Sequence, residues 1–463
     1  MIAGVEAGSD GYRAVIAWAS KRGVAANSVS GISLLFGLCA AAWLSGGAVP
    51  DTQRGIVAVA VWLVLRFCAA RLAEMPGSAD SRDSARDHGA GSDWLVLPGY
   101  DWGGASTAPA SRAGAPWVGW QAGSRSFAWL AAVCGAGAEC AIYGGIAAGA
   151  EAAGWRNTWP LAIATVALVS VAEVAAACAR TAKGERTAAP RESALWRWIT
   201  AIASPPMAAR AMLAIIALAA YGPRVALFTV FMLAALSLGW NLTRIGGQPE
   251  ISRRDVILAC RDDGPLASWA GRLVQGNLTP LPAVLAGLAA IAVLSLIGIR
   301  NLQGIIALAP VVVLLLAASG ASHPHDGHLD WLVPTLLCLG QYSYLTAFGL
   351  ARGVAGPVIF AACAMSAVWY TGLAIGQSAS TWTSGSLSRP EQISRIIATR
   401  RDNLGWDGRI CLVALAGMFG ITTFGYLGLS VCAGVLIARR AVIGYLIPAV
   451  PQPAEQQIPG ECQ

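Results

Sequence analysis

Charge is what this sequence has least of. Only 12% of its 463 residues are Asp, Glu, Lys or Arg, against about 25% in an average soluble domain. So few charges cannot coat a water-soluble globule of this length, which excludes an ordinary soluble enzyme or scaffold. Lysine is nearly absent: Lys21 and Lys183 are the only two among 32 basic residues. There are four histidines, and no Cys-x-x-Cys pair among the eleven cysteines. Most of those cysteines lie inside apolar runs and read as small buried hydrophobes rather than disulfide partners. No basic stripe interleaved with stacking aromatics is present, so the net charge of +7 does not point to nucleic acid. Walker, Gly-x-Ser-x-Gly, kinase and His-Glu-x-x-His motifs are all missing.

Hydrophobic residues are plentiful, at 56%. They cluster in runs of about 18–25 residues, enough to cross about 30 Å of hydrocarbon. The expected fold class is all-α, a polytopic membrane protein of about eleven or twelve transmembrane helices in two bundles. Candidate spans fall at 29–46, 55–73, 126–149, 158–179, 206–222, 224–243, 279–299, 302–319, 331–350, 355–376 and 410–437. The last is one long helix or two short ones, because Gly420, Gly425 and Gly428 interrupt it. Basic residues concentrate in the N-terminal arm (Arg13, Lys21, Arg22) and in the fourth, sixth and tenth connections. That alternation places the N-terminus and the even connections in the cytoplasm. The preference for Arg over Lys, with abundant Ala, Gly and Trp, suggests a GC-rich bacterium and hence its inner membrane.

The expected organisation is a six-helix unit over 1–245, a cytoplasmic linker with a polar helix over 246–275, a second helical unit over 276–447, and a tail over 448–463. The second connection, 74–125, is rich in Gly, Ser and Asp without helical period and reads as a disordered loop.

Some motifs carry a resemblance. The entry stretch "RRGVAANSVSGISLLFGLCAA" places Arg22, Gly23, Asn27 and Ser28 ahead of the first span. "LVLRFCAARLAE" closes the second span, and "WLAAVCGAGAECAIYGG" forms the third. Together these resemble the CDP-alcohol phosphotransferases, six-helix membrane enzymes that move a substituted phosphate from a CDP-linked alcohol to a hydroxyl. Trp129, Leu130, Glu139, Tyr143 and Gly145 fit the family's third span. In that family four Asp on two helices hold divalent metal, and the last acts as general base. The resemblance aligns those four positions with Arg66, Ala69, Ala131 and Gly135. All four carboxylates are therefore absent, and Mg²⁺ or Mn²⁺ would lack its hard oxygen ligands. A basic residue near Arg210 grips phosphate in the family, and its members pair as homodimers.

The resemblance therefore implies a catalytically degenerate relative with no catalytic residues. It would act as a partner, or as a lipid- or headgroup-binding protein, in envelope lipid metabolism, with membrane lipids as partners and no cofactor. An active transferase with a relocated Mg or Mn site is the alternative. Asp80, Asp83 and Asp87 recur there at Asp-x-x-Asp-x-x-x-Asp spacing, although a solvated loop explains them as well. A transporter is the third reading, and few charges within spans support it.

The main charges within spans are Arg66, Arg71, Glu139 and Glu173, and burying them is costly. Glu139 with Arg66 or Arg71 is the expected cavity pair, with Tyr143 and Arg210 as further candidates; pairing that fixes helix register is the bland reading. The polar cluster "SHPHDGHLDW" offers His323, His325, Asp326, His328 and Asp330 as transition-metal ligands, or else a turn with Asp330 capping a helix. The second unit also carries "DDGPL", "GNLTPLP" and "NLGWDGR", segments that resemble an uncharacterised membrane domain of high-GC bacteria. No activity follows from that likeness.

Overall fold

The computed structural model describes residues 26–74, 118–183, 203, 205–246, 262–274, 279–297, 308–321, 329–381 and 404–446. Among these residues the chain is all-helical, with no strand. Thirteen α-helices follow one another: α1 Ala26–Leu44, α2 Val49–Glu74, α3 Val118–Ala152, α4 Thr158–Lys183, α5 Met207–Tyr221, α6 Pro223–Gly246, α7 Pro265–Val274, α8 Pro280–Ile297, α9 Ala309–Ala321, α10 Val333–Ala351, α11 Gly356–Thr381, α12 Gly405–Met418 and α13 Thr422–Leu446.

Among the described residues, six stretches are long and apolar enough to cross a bilayer: Val49–Ala70, Trp129–Ala152, Thr158–Cys178, Pro223–Arg244, Gly356–Ala374 and Thr422–Val442. Four shorter apolar helices accompany them. Large apolar side chains stay on the outside, among them Leu35, Val64, Leu236, Phe424 and Val431. Such an exterior suits lipid, and these helices mark a membrane protein.

Several described helix boundaries fall where the sequence has its punctuation. Pro206 caps α5, Gly222 ends it at φ +92°, and Pro223 opens α6. The last apolar run is two helices, not one. It breaks at Gly420, whose φ of +73° is a left-handed turn that glycine enters without strain. α3 starts at Val118, ahead of the expected 126, so the end of the supposed disordered loop is helical. One described helix, α7, falls within 246–275, and Arg272 is its one charged residue.

The two sequence blocks do not form separate bundles. α11 packs along both α3 and α4, and α10 also packs on α4. One buried apolar cluster runs from Ala40 to Leu429. Glycines make the close approaches. A Cβ on Gly144 would lie 2.8 Å from the Phe360 ring, and one on Gly372 would lie 2.9 Å from the Trp129 indole nitrogen. Small residues let helices meet where lipid supplies no hydrophobic drive between them.

Candidate functional site

Among the described residues, most of the buried charge collects in two clusters. The first is built around Arg210, one turn into α5. Its Nε and Nη2 donate to Oε1 and Oε2 of Glu139 at 3.0 and 3.2 Å, a two-pronged pairing of guanidinium and carboxylate. Nη1 donates to Glu173 at 2.8 Å and to the Pro205 carbonyl at 3.3 Å. Tyr143, one turn after Glu139 on α3, donates its hydroxyl to Glu139 at 2.6 Å. Glu139, Tyr143 and Arg210 are buried, and Glu173 is partly open. A cavity of about 10 Å³ adjoins them, lined also by Ser170 of α4 and Thr371 of α11. That is about the space of one water molecule.

The expected pairing of Glu139 with Arg66 or Arg71 is therefore corrected. Arg210 is the partner, because the chain turn at Pro205–Pro206 brings the head of α5 over α3. Arg66 instead donates Nη1 to the Ala131 carbonyl at 2.6 Å and fills the space a side chain on Gly135 would need. Ala69 is buried one turn further along α2. Three of the four positions that the resemblance gives to carboxylates thus meet at one guanidinium.

The second cluster is made by the segments "DDG" and "GWDGR", which lock into each other. Arg409 donates to Asp262, and to Gln341 at 3.1 Å. The Trp406 backbone donates to the Asp262 carbonyl at 3.0 Å, and its indole to Asp263 at 3.0 Å. Trp369 donates to Asp262 at 3.3 Å. In return Asp407 accepts the backbone N–H groups of Gly264 and Ala267 at 2.6 and 2.8 Å, which caps the head of α7. Gly405, at φ +58°, presses its backbone against Gly264, so both positions need glycine. Burial pushes the Asp407 carboxyl up to about 6, against the two backbone donors that favour its ionised form.

The clusters are joined through the shared core. Tyr342 donates to Ser170 at 2.9 Å, on the rim of the Arg210 cavity. Its ring lies 6.3 Å from that of Tyr370, which donates to Gln341 at 2.8 Å. Arg409 stacks on Tyr370 at 4.9 Å.

Residues 253–444 match a family of unknown function (DUF5941). The DUF5941 stretch holds the whole second cluster, from Asp262 to Arg409. The Arg210 cluster and Arg66 precede it. Neither a curated protein nor a solved structure matches the chain.

Of the remaining candidates, Asp330 is the first residue of a 3-10 turn, Asp330–Leu332, and is buried. Leu329 and Leu332 hold the cap positions there, so Asp330 is not the cap. His323, His325, Asp326, His328, Asp80, Asp83, Asp87 and the Arg71 side chain lie outside the described residues. Among the described residues no group of three His, Cys, Asp or Glu could hold a metal ion. Sequence reasoning missed Asp262, Gln341, Tyr370, Asp407 and Arg409 as a unit. The signal was present in the two Asp-Gly segments, but nothing in their spacing tells that they pair.

Proposed function

We propose that this chain is a non-catalytic membrane relative of the CDP-alcohol phosphotransferases, serving bacterial envelope lipid metabolism as a headgroup-binding or partner protein. In this reading it spans the inner membrane about eleven or twelve times, with its N-terminus in the cytoplasm. The observation that carries the reading is Arg66. The resemblance places metal-binding carboxylates at 66, 131 and 135, and the Arg66 guanidinium lies against both Ala131 and Gly135. A fixed cation where a divalent metal would sit repels that metal, and no carboxylate among the three offsets it. The neighbouring Glu139 is already held by Arg210 and Tyr143.

The test is CMP release by the full chain in lipid nanodiscs, with CDP-diacylglycerol, inositol phosphate or glycerol phosphate as acceptor, and Mg²⁺ or Mn²⁺. An active transferase of the family runs beside it. Bound Mn²⁺ is read separately by electron paramagnetic resonance. No CMP and no bound Mn²⁺ are expected. Metal-dependent CMP release would overturn the reading and direct attention to Asp80, Asp83 and Asp87.

A further inference from the structure

We propose that α7 is an in-plane helix seated in the headgroup layer of the bilayer, with phospholipid covering its outer face at Trp269 and Leu273. The helix has ten residues, about 15 Å, half of what a span requires. Its exposed residues Pro265, Ser268, Trp269 and Leu273 fall on one stripe, while Ala267, Ala270 and Gly271 are buried. Trp269 is 56% exposed and Leu273 65%. The buried side packs on α9 and α12.

Its place relative to the spans argues for lipid rather than water. Asp407, at the head of α12, holds the Gly264 and Ala267 amides. Asp262, two residues before Gly264, takes the indole N–H of Trp369, which lies within the apolar stretch of α11. α7 therefore begins beside the apolar part of α11, not beyond it. It also packs on α9, whose Val312 and Leu316 face outward, so its outer face continues an apolar exterior. Tryptophan is enriched at this boundary, where the ring is buried among lipid and the N–H meets water. An exposed indole and leucine pair one turn apart, on a helix too short to span, has the character of an interfacial helix. The inference uses only the membrane assignment and stands apart from the transferase likeness.

The experiment places the photo-crosslinking residue benzoylphenylalanine singly at 269 and at 273, in the full chain in nanodiscs containing phosphatidylglycerol and phosphatidylethanolamine. Val431, an exposed position on the span α13, is the positive control. Intact-mass spectrometry after illumination should show a phospholipid-mass adduct at 269 and 273, as at 431. Two positions are used so that a misfolded Trp269 variant leaves Leu273 to decide. A lipid adduct at 431 alone overturns the proposal, as does a crosslink at 269 or 273 to a second copy of the chain.

Discussion

The guanidinium of Arg66 occupies the space beside Gly135 that any side chain at 135 would need. Gly135→Ala is therefore an overpacking substitution, expected to cost about 1–3 kcal/mol. In an Arg66→Ala background the same change should cost almost nothing. Thermal unfolding of the four proteins in detergent, analysed as a double-mutant cycle, reads the difference. Additive losses would show that the two residues are not in contact.

Arg210 and Glu139 form a buried pair with a two-pronged geometry. Removing one partner leaves an unbalanced buried charge, so Arg210→Met should cost about 3–5 kcal/mol. Adding Glu139→Gln should restore part of that loss, because the carboxylate left behind disappears. A double variant less stable than Arg210→Met would contradict the pairing.

Asp407 predicts a pH dependence. Its carboxyl rises from an ordinary value near 3.8 to about 6 in the folded chain. The folded state thus holds the proton more tightly than the unfolded one. The contribution is complete below about pH 3.8, falls as pH rises towards 6, and is flat above. Its full span is about 3 kcal/mol. Asp407→Asn should remove this slope from a series of unfolding curves between pH 4 and 7. Asp407→Ala should also speed hydrogen exchange at the Gly264 and Ala267 amides, which lose their acceptor.

At Gly144 the Phe360 ring leaves no room for a methyl group. Gly144→Ala should lower the unfolding temperature, and Phe360→Leu should recover part of it. If α11 docked elsewhere, Gly144→Ala would behave as a helix-stabilising change and raise it.

The helices were legible because a bilayer demands apolar length, and length is written directly in the sequence. Gly420 marked the break in the last run, although only its positive φ decides between one helix and two. Packing partners were not legible. Ala- and Gly-rich helices such as α3 carry no single apolar stripe, so nothing in "GAGAECAIYGG" shows that α11 lies against it. The charged residues were legible as candidates, one by one. Their pairing was not, since Glu139 and Arg210 stand on α3 and α5, with the whole of α4 between them in the sequence. The likeness of 66, 131 and 135 to metal positions gained a spatial meaning only when one guanidinium was seen to touch two of them.

The sharing of α11 between the blocks sets an order of events in synthesis. α3 and α4 enter the membrane long before α11 leaves the ribosome, and until then the groove between them has no occupant. The first block thus waits, unfinished, for a helix that begins at Gly356, long after α4 ends at Lys183. A stall or a frameshift after residue 246 would leave the six described helices of the first block with an open seam, as exposed to quality-control proteases as any misfolded protein. The fusion of the two blocks in one chain secures that the missing helix arrives in equal number and in the same place.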